Sequence, residues 1–204
     1  SGDITVVSRE DGSGTRGAFV ELMGIEQKNE TGEKEDMTRG DAEISNSTNG
    51  VMMSVAGNVD AIGYISLGSL NDTVKALDVN GVECSVADIK SGDYVVARPF
   101  NVCYQQAKLD GNAAYKALNP DVSIDIQQTG SGAGITSATE GTCDIGMSSR
   151  ELKQEELDAG LTEMKIADDG IAVIVNLENP IENIASDEVM KIYTGEINNW
   201  SELG

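Results

Sequence analysis

Twice along this chain a β-branched stretch runs through a glycine–serine loop into a helical stretch, and no other feature constrains the fold as much. The first instance is Ile4-Thr5-Val6-Val7, then Asp11-Gly12-Ser13-Gly14-Thr15, then a helix from about Arg16 to Met23. The second is Val122–Gln127, which alternates Val/Ile with polar residues, then Thr129-Gly130-Ser131-Gly132-Ala133-Gly134, then a helix over Ile135–Glu140. Between and around them the same alternation continues. Helices are expected at Asn49–Gly57, Ala113–Leu118, Lys153–Ala159 and Asp187–Tyr193. Strands are expected at Ala61–Leu67, Val74–Val79, Tyr94–Val102, Asp144–Met147 and Gly170–Val175. Residues 26–49 are polar and poor in apolar side chains, and read as an exposed excursion. Strands alternating with helices predict an α/β fold with mostly parallel sheets and crossover helices.

A strand–loop–helix unit of this kind presents unpaired backbone N–H groups and the positive end of the helix dipole to whatever lies before the helix. Glycines let the backbone approach a ligand, and Ser and Thr hydroxyls add donors, so two such loops suit an oxyanion. A single Gly-Ser-Gly is more often just a turn; the pair carries the argument. Neither loop is a Walker loop, since no Gly-Lys-Ser/Thr follows, and neither is a dinucleotide fingerprint. Arg9 is the natural guanidinium partner for the anion, and Asp11, two residues on, is placed to hold its fork. On spacing alone a solvated Arg–Asp pair is an equal reading.

Composition narrows the function further. The net charge of −21 lacks the basic footprint that a nucleic-acid binder needs, so nucleic acid is not a partner. It does not bar one small anion, whose site is governed by its own donors. No histidine is present, which removes His-based acid–base catalysis and His-containing zinc sites. The Gly-x-Ser-x-Gly pattern of serine hydrolases is also missing. No cofactor motif is found, and the chain reads as a binder, not an enzyme. Cys84, Cys103 and Cys143 show no CxxC pairing and read as small buried hydrophobes. The longest apolar runs are too short to span a bilayer. Nothing at the amino terminus reads as a signal peptide, and Ser1-Gly2 has the look of a cloning remnant.

Several segments together resemble the phosphate-binding proteins that feed the phosphate ABC transporter. These are Ser8-Arg9-Glu10-Asp11-Gly12-Ser13-Gly14-Thr15-Arg16, Ala61-Ile62-Gly63-Tyr64, Thr129-Gly130-Ser131-Gly132-Ala133-Gly134, Asp144-Ile145-Gly146-Met147-Ser148-Ser149-Arg150, Asp169 to Asn176 and Ile192 to Trp200. The resemblance implies a type II periplasmic-binding-protein-like fold, two α/β lobes joined by two crossing strands, closing on inorganic phosphate. It assigns anion contacts to Arg9, Ser13, Gly14 and Thr15 from one lobe and to Ser131, Gly132 and Ser149 from the other, with Asp11 orienting the arginine. With Ala61–Leu67 and Gly170–Asn176 as the crossing strands, one lobe is 1–62 plus 177–204 and the other is 63–176. It also implies a parent that is extracellular, periplasmic or anchored on the cell surface, and that docks on an ABC transporter membrane subunit.

Three departures from the family pattern stand out. The half containing Ser131 follows the half containing Arg9, whereas the family has the reverse order, so the chain reads as circularly permuted and suggests engineering. The family's opening strand and loop find no counterpart between Tyr104 and Ala113. Its loss would weaken binding and expose sheet edges that invite a homodimer, and a rearranged scaffold without useful binding is the alternative reading. Finally, Ser149 stands where some members carry an aspartate that discriminates protonated phosphate from sulfate, so that discrimination does not carry over.

Overall fold

A computed structural model of the chain describes residues 2–28, 32–106 and 131–203. Two compact units are present, one of Ser1–Arg98 with Asp169–Gly204 and the other of Pro99–Asp168. In the first, strand β1 (Thr5–Arg9) lies parallel to β4 (Glu43–Ser45) on one side and to β5 (Ala61–Ser66) on the other. β5 in turn pairs antiparallel with the end of a fifteen-residue strand, β10 (Leu161–Val175), placing Ile171 opposite Ser66 and Val175 opposite Ile62. The short β6 (Lys75–Ala76) also runs antiparallel to β10. The sheet is therefore mixed, a correction to the expectation of mostly parallel sheets: Ile174 and Val175 pair with both β5 and β6 in the opposite sense.

Burial explains why this sheet holds. Ile171, Ala172, Val173, Ile174 and Val175 have no exposed surface. Burying each Val or Ile side chain is worth roughly 1.5–3 kcal/mol, so this segment and β5 dominate the unit's core. Helices α1 (Gly14–Leu22), α2 (Thr48–Gly57), α3 (Val86–Ser91) and, near the carboxyl end, α6 (Ser186–Thr194) flank the sheet. Ser13, Ser47 and Ser85 cap the first three by accepting a backbone N–H three residues on. α6 ends at Gly195, whose φ of 84° is the left-handed stop that glycine permits.

The excursion expected at 26–49 is more ordered than its composition suggests. β2 (Glu26–Lys28) and β3 (Lys34–Asp36) form an antiparallel pair, and β4 adds a parallel edge to β1. Val74–Val79 divides into β6 and β7 (Asp78–Val79), the latter pairing with β11 (Asn183–Ile184).

In the second unit β8 (Ala97–Gln105) pairs antiparallel with β9 (Gly146–Ser148), matching Asn101 to Ser148 and Cys103 to Gly146. Helices α4 (Ser131–Glu140) and α5 (Gln154–Asp158) are also part of it. Its small core is Cys103, Ile135, Ala138, Leu152 and Leu161. The expected helix at Ala113–Leu118, the expected strand at Val122–Gln127, and Thr129 and Gly130 lie outside the described residues.

The chain changes unit inside β8, at Arg98/Pro99, and again inside β10, at Asp168/Asp169. Ala61–Ser66 and Gly170–Val175 are continuous apolar runs because they are neighbouring central strands of one unit, buried on both faces. Among the described residues no helix is long and apolar enough to cross a membrane.

Candidate functional site

The first unit builds a donor cluster where β1 meets α1. Strand β1 brings Arg9 to its carboxyl end, and that end is fixed by Tyr64 of β5. The Tyr64 hydroxyl shares a 2.8 Å hydrogen bond with Ser8 Oγ and accepts the Arg9 N–H at 3.1 Å. The Tyr64 ring stacks on Phe19 of α1, with centroids 3.9 Å apart, and Tyr193 of α6 meets Phe19 edge-on at 5.0 Å. One aromatic group thus locks the strand end to the helix that follows. The connecting turn passes through Gly12, whose φ of 85° a side-chain-bearing residue adopts only at a cost. Ser13 caps α1, and Gly14 and Thr15 occupy its first turn, where N–H groups have no intrahelical acceptor. No acidic residue lies in that turn to offset the dipole.

The Arg9 side chain is 13% exposed. Nε and Nη2 donate to the two Glu10 carboxylate oxygens at 2.8 and 2.9 Å, and Nη1 donates to Thr48 Oγ1 at 3.1 Å. These hydrogen bonds hold the Glu10 carboxyl below its usual range. A guanidinium has five N–H donors; these three bonds leave the others for a ligand. The orienting carboxylate is therefore Glu10, not Asp11 as the spacing suggested. Asp11 is 97% exposed and pairs instead with Arg16 Nη1 at 2.8 Å. The turn at Gly12 carries Asp11 outward, while Arg16 reaches back to donate to the Arg9 carbonyl at 2.8 Å and to Asp36 at 2.9 Å.

Arg98 is a residue that the motif reading missed. It is 7% exposed, donates to the Gly14 carbonyl and, at 3.1 Å, to Thr15 Oγ1, and meets Asp169 at 3.3 Å. Burial lowers its pKa from the usual value, with the Asp169 charge opposing. Its one sequence signal is a lone cation closing the apolar run Val95-Val96-Ala97 ahead of Pro99.

The second unit builds another cluster at the start of α4. Ser131 Oγ lies 3.0 Å from Ser149 Oγ and accepts the Ser149 backbone N–H at 3.0 Å, so these two expected residues are brought together. Gly132 is exposed in the first turn, which again contains no acidic residue. The approach of α4 to β9 depends on glycine. A Cβ on Gly146 would fall on the Gly134 carbonyl and 2.8 Å from Cys103 Sγ, and one on Gly134 would lie 2.8 Å from the Met147 carbonyl. The loop after Ser149 is pinned by Asn101, whose Nδ2 donates to the Arg150 carbonyl at 2.9 Å and to Glu163 at 2.6 Å. Glu163 in turn accepts the Leu152 N–H at 3.0 Å.

Each cluster consists of hydroxyls and backbone N–H groups, with a guanidinium in the first. Among the described residues no three His, Cys, Asp or Glu side chains group as a metal requires.

Comparison with known proteins bears on both units. Residues 105–204 match the model of a PBP superfamily domain. The chain is similar to the phosphate-binding protein PstS 2 of Streptococcus agalactiae serotype V, at 39% identity across 99% of this chain and 88% of that protein. The PstS 2 of Streptococcus pneumoniae serotype 4 is likewise 39% identical, across 100% of this chain and 88% of its own length. Among solved structures, the crystal structure of a phosphate ABC transporter phosphate-binding protein from Streptococcus pneumoniae superposes with a TM-score of 0.86 at 37% identity, covering all of both chains.

Proposed function

We propose that this chain, which belongs to the PstS family of phosphate-binding proteins, binds inorganic phosphate reversibly and without chemical change, through the donor cluster in each of its units. The observation that carries the proposal is the Arg9 fork. It is held by Glu10 and Thr48, retains N–H groups for a ligand, and belongs to the strand that leads into the uncompensated amino end of α1. Ser13, Gly14 and Thr15 contribute from the same turn, and Ser131, Gly132 and Ser149 from the second cluster. Each cluster is contained in a single unit, so a permuted order of the two halves leaves both sets of donors whole.

The Glu10 carboxylate of the first cluster is engaged at both oxygens by Arg9 and held below its usual range, which makes it a weak base, and the chain has no histidine; both points support binding rather than turnover. The relatives are named as phosphate-binding proteins, and one solved structure as a phosphate ABC transporter component. On that footing the chain acts outside the membrane as the capture component, delivering phosphate to a transporter's membrane subunit.

A ligand that binds only the folded state stabilises it by about 2.7 kcal/mol at one hundred times its Kd. Millimolar phosphate should therefore raise the melting temperature by several degrees, and equimolar chloride should not. An unchanged melting temperature would favour the scaffold reading over the binder.

A further inference from the structure

We propose that Arg98 is a positioning residue of the anion site, aiming both donors of Thr15 at the bound ion. The inference rests on the phosphate-binding reading above.

Arg98 and Asp169 are 7% and 8% exposed. Burying an ion pair costs desolvation that two packed apolar side chains would not incur, so stability alone does not call for it. Nor is the pair tight: Nε and Nη2 both stand 3.3 Å from Asp169 Oδ2, while Ser66 Oγ donates to the other carboxylate oxygen at 2.5 Å. The guanidinium also donates to the first turn of α1, at the Gly14 carbonyl and at Thr15 Oγ1, 3.1 Å away.

Two consequences follow from elementary geometry. A guanidinium only donates, so Thr15 Oγ1 must accept from it, and the single hydroxyl proton is turned elsewhere. The Gly14 carbonyl and the Thr15 N–H belong to one planar trans peptide and point in opposite directions. Holding that carbonyl on the Arg98 side aims the Thr15 N–H the other way, toward the open amino end of the helix. Arg98 thereby fixes the hydroxyl donor, whose proton otherwise rotates, and braces the helical peptide that carries the backbone donor.

The test is a double-mutant cycle on phosphate affinity, measured calorimetrically with wild type, Arg98→Lys, Thr15→Val and the pair. Lysine keeps a charge beside Asp169 and so preserves folding, but a single ammonium does not reproduce the fork to both Gly14 and Thr15. Each single change should weaken phosphate binding by about tenfold. The double variant should be much less than a hundredfold weaker, because Arg98 acts largely through Thr15. Affinity losses that simply multiply, or wild-type affinity in Arg98→Lys, would overturn the role assigned to Arg98 while leaving phosphate binding intact. Absence of phosphate binding in the wild type would overturn both.

Discussion

Arg9 carries the charge that the proposed site offers to its ligand, and its neighbours determine how well it does so. Glu10 and Thr48 fix the fork without consuming all its donors. Charge-assisted hydrogen bonds contribute about 1.5–3 kcal/mol each, so Arg9→Ala should weaken phosphate binding roughly 10- to 100-fold, read by calorimetry. In the proposed site, Ser149 is the position that bears on selectivity. Its hydroxyl both donates and accepts, so it has no reason to reject a fully ionised oxyanion. A carboxylate there accepts from protonated phosphate and repels sulfate, so Ser149→Asp should raise the phosphate-to-sulfate affinity ratio, which competition titration would reveal. Residue roles were partly legible in the sequence. The placement of Ser13 and Ser131 at a helix start, and of Arg9 at the end of the strand before one, follows from the sequence pattern, and their part in binding is what the proposal adds. The choice between Glu10 and Asp11 does not follow from it, because both carboxylates lie within reach along the chain. The left-handed turn at Gly12, which sends Asp11 into solvent, decides it. Arg98 was illegible for a different reason: its partners Gly14 and Thr15 are more than eighty residues away in sequence.

At the scale of elements, the second cluster depends on how closely α4 lies on β9. Gly134 and Gly146 face each other where the helix crosses the strand, and a methyl group on Gly146 has nowhere to go. Overpacking of this kind costs about 1–3 kcal/mol. Gly146→Ala should therefore lower stability by that amount in urea unfolding, and it should also weaken phosphate binding, because moving α4 separates Ser131 from Ser149. A stability loss with unchanged affinity would detach Ser131 from the site. Most helices and central strands were legible from apolar periodicity, as with α2 and β5. The edge strand β4 was not, because Glu43-Ile44-Ser45 owes its pairing to β1 and not to its own composition.

At the scale of the whole molecule, the charge of −21 opposes the approach of any anion. Screening shortens the range of that field to about 8 Å at physiological salt, while interactions inside a partly buried site are screened far less. Raising sodium chloride from low to physiological concentration should therefore speed phosphate association, as followed by stopped flow. A rate that falls with salt would mean that a local positive field steers the ion instead. The claim on which all of this turns is that the chain binds phosphate through the proposed donors, Arg9 and Ser131 among them. Calorimetric titration of the wild type, Arg9→Ala and Ser131→Ala with phosphate tests it most directly. The account predicts saturable binding of one phosphate per chain, weakened by either substitution. Absence of heat in the wild type, or wild-type affinity in both variants, would contradict it.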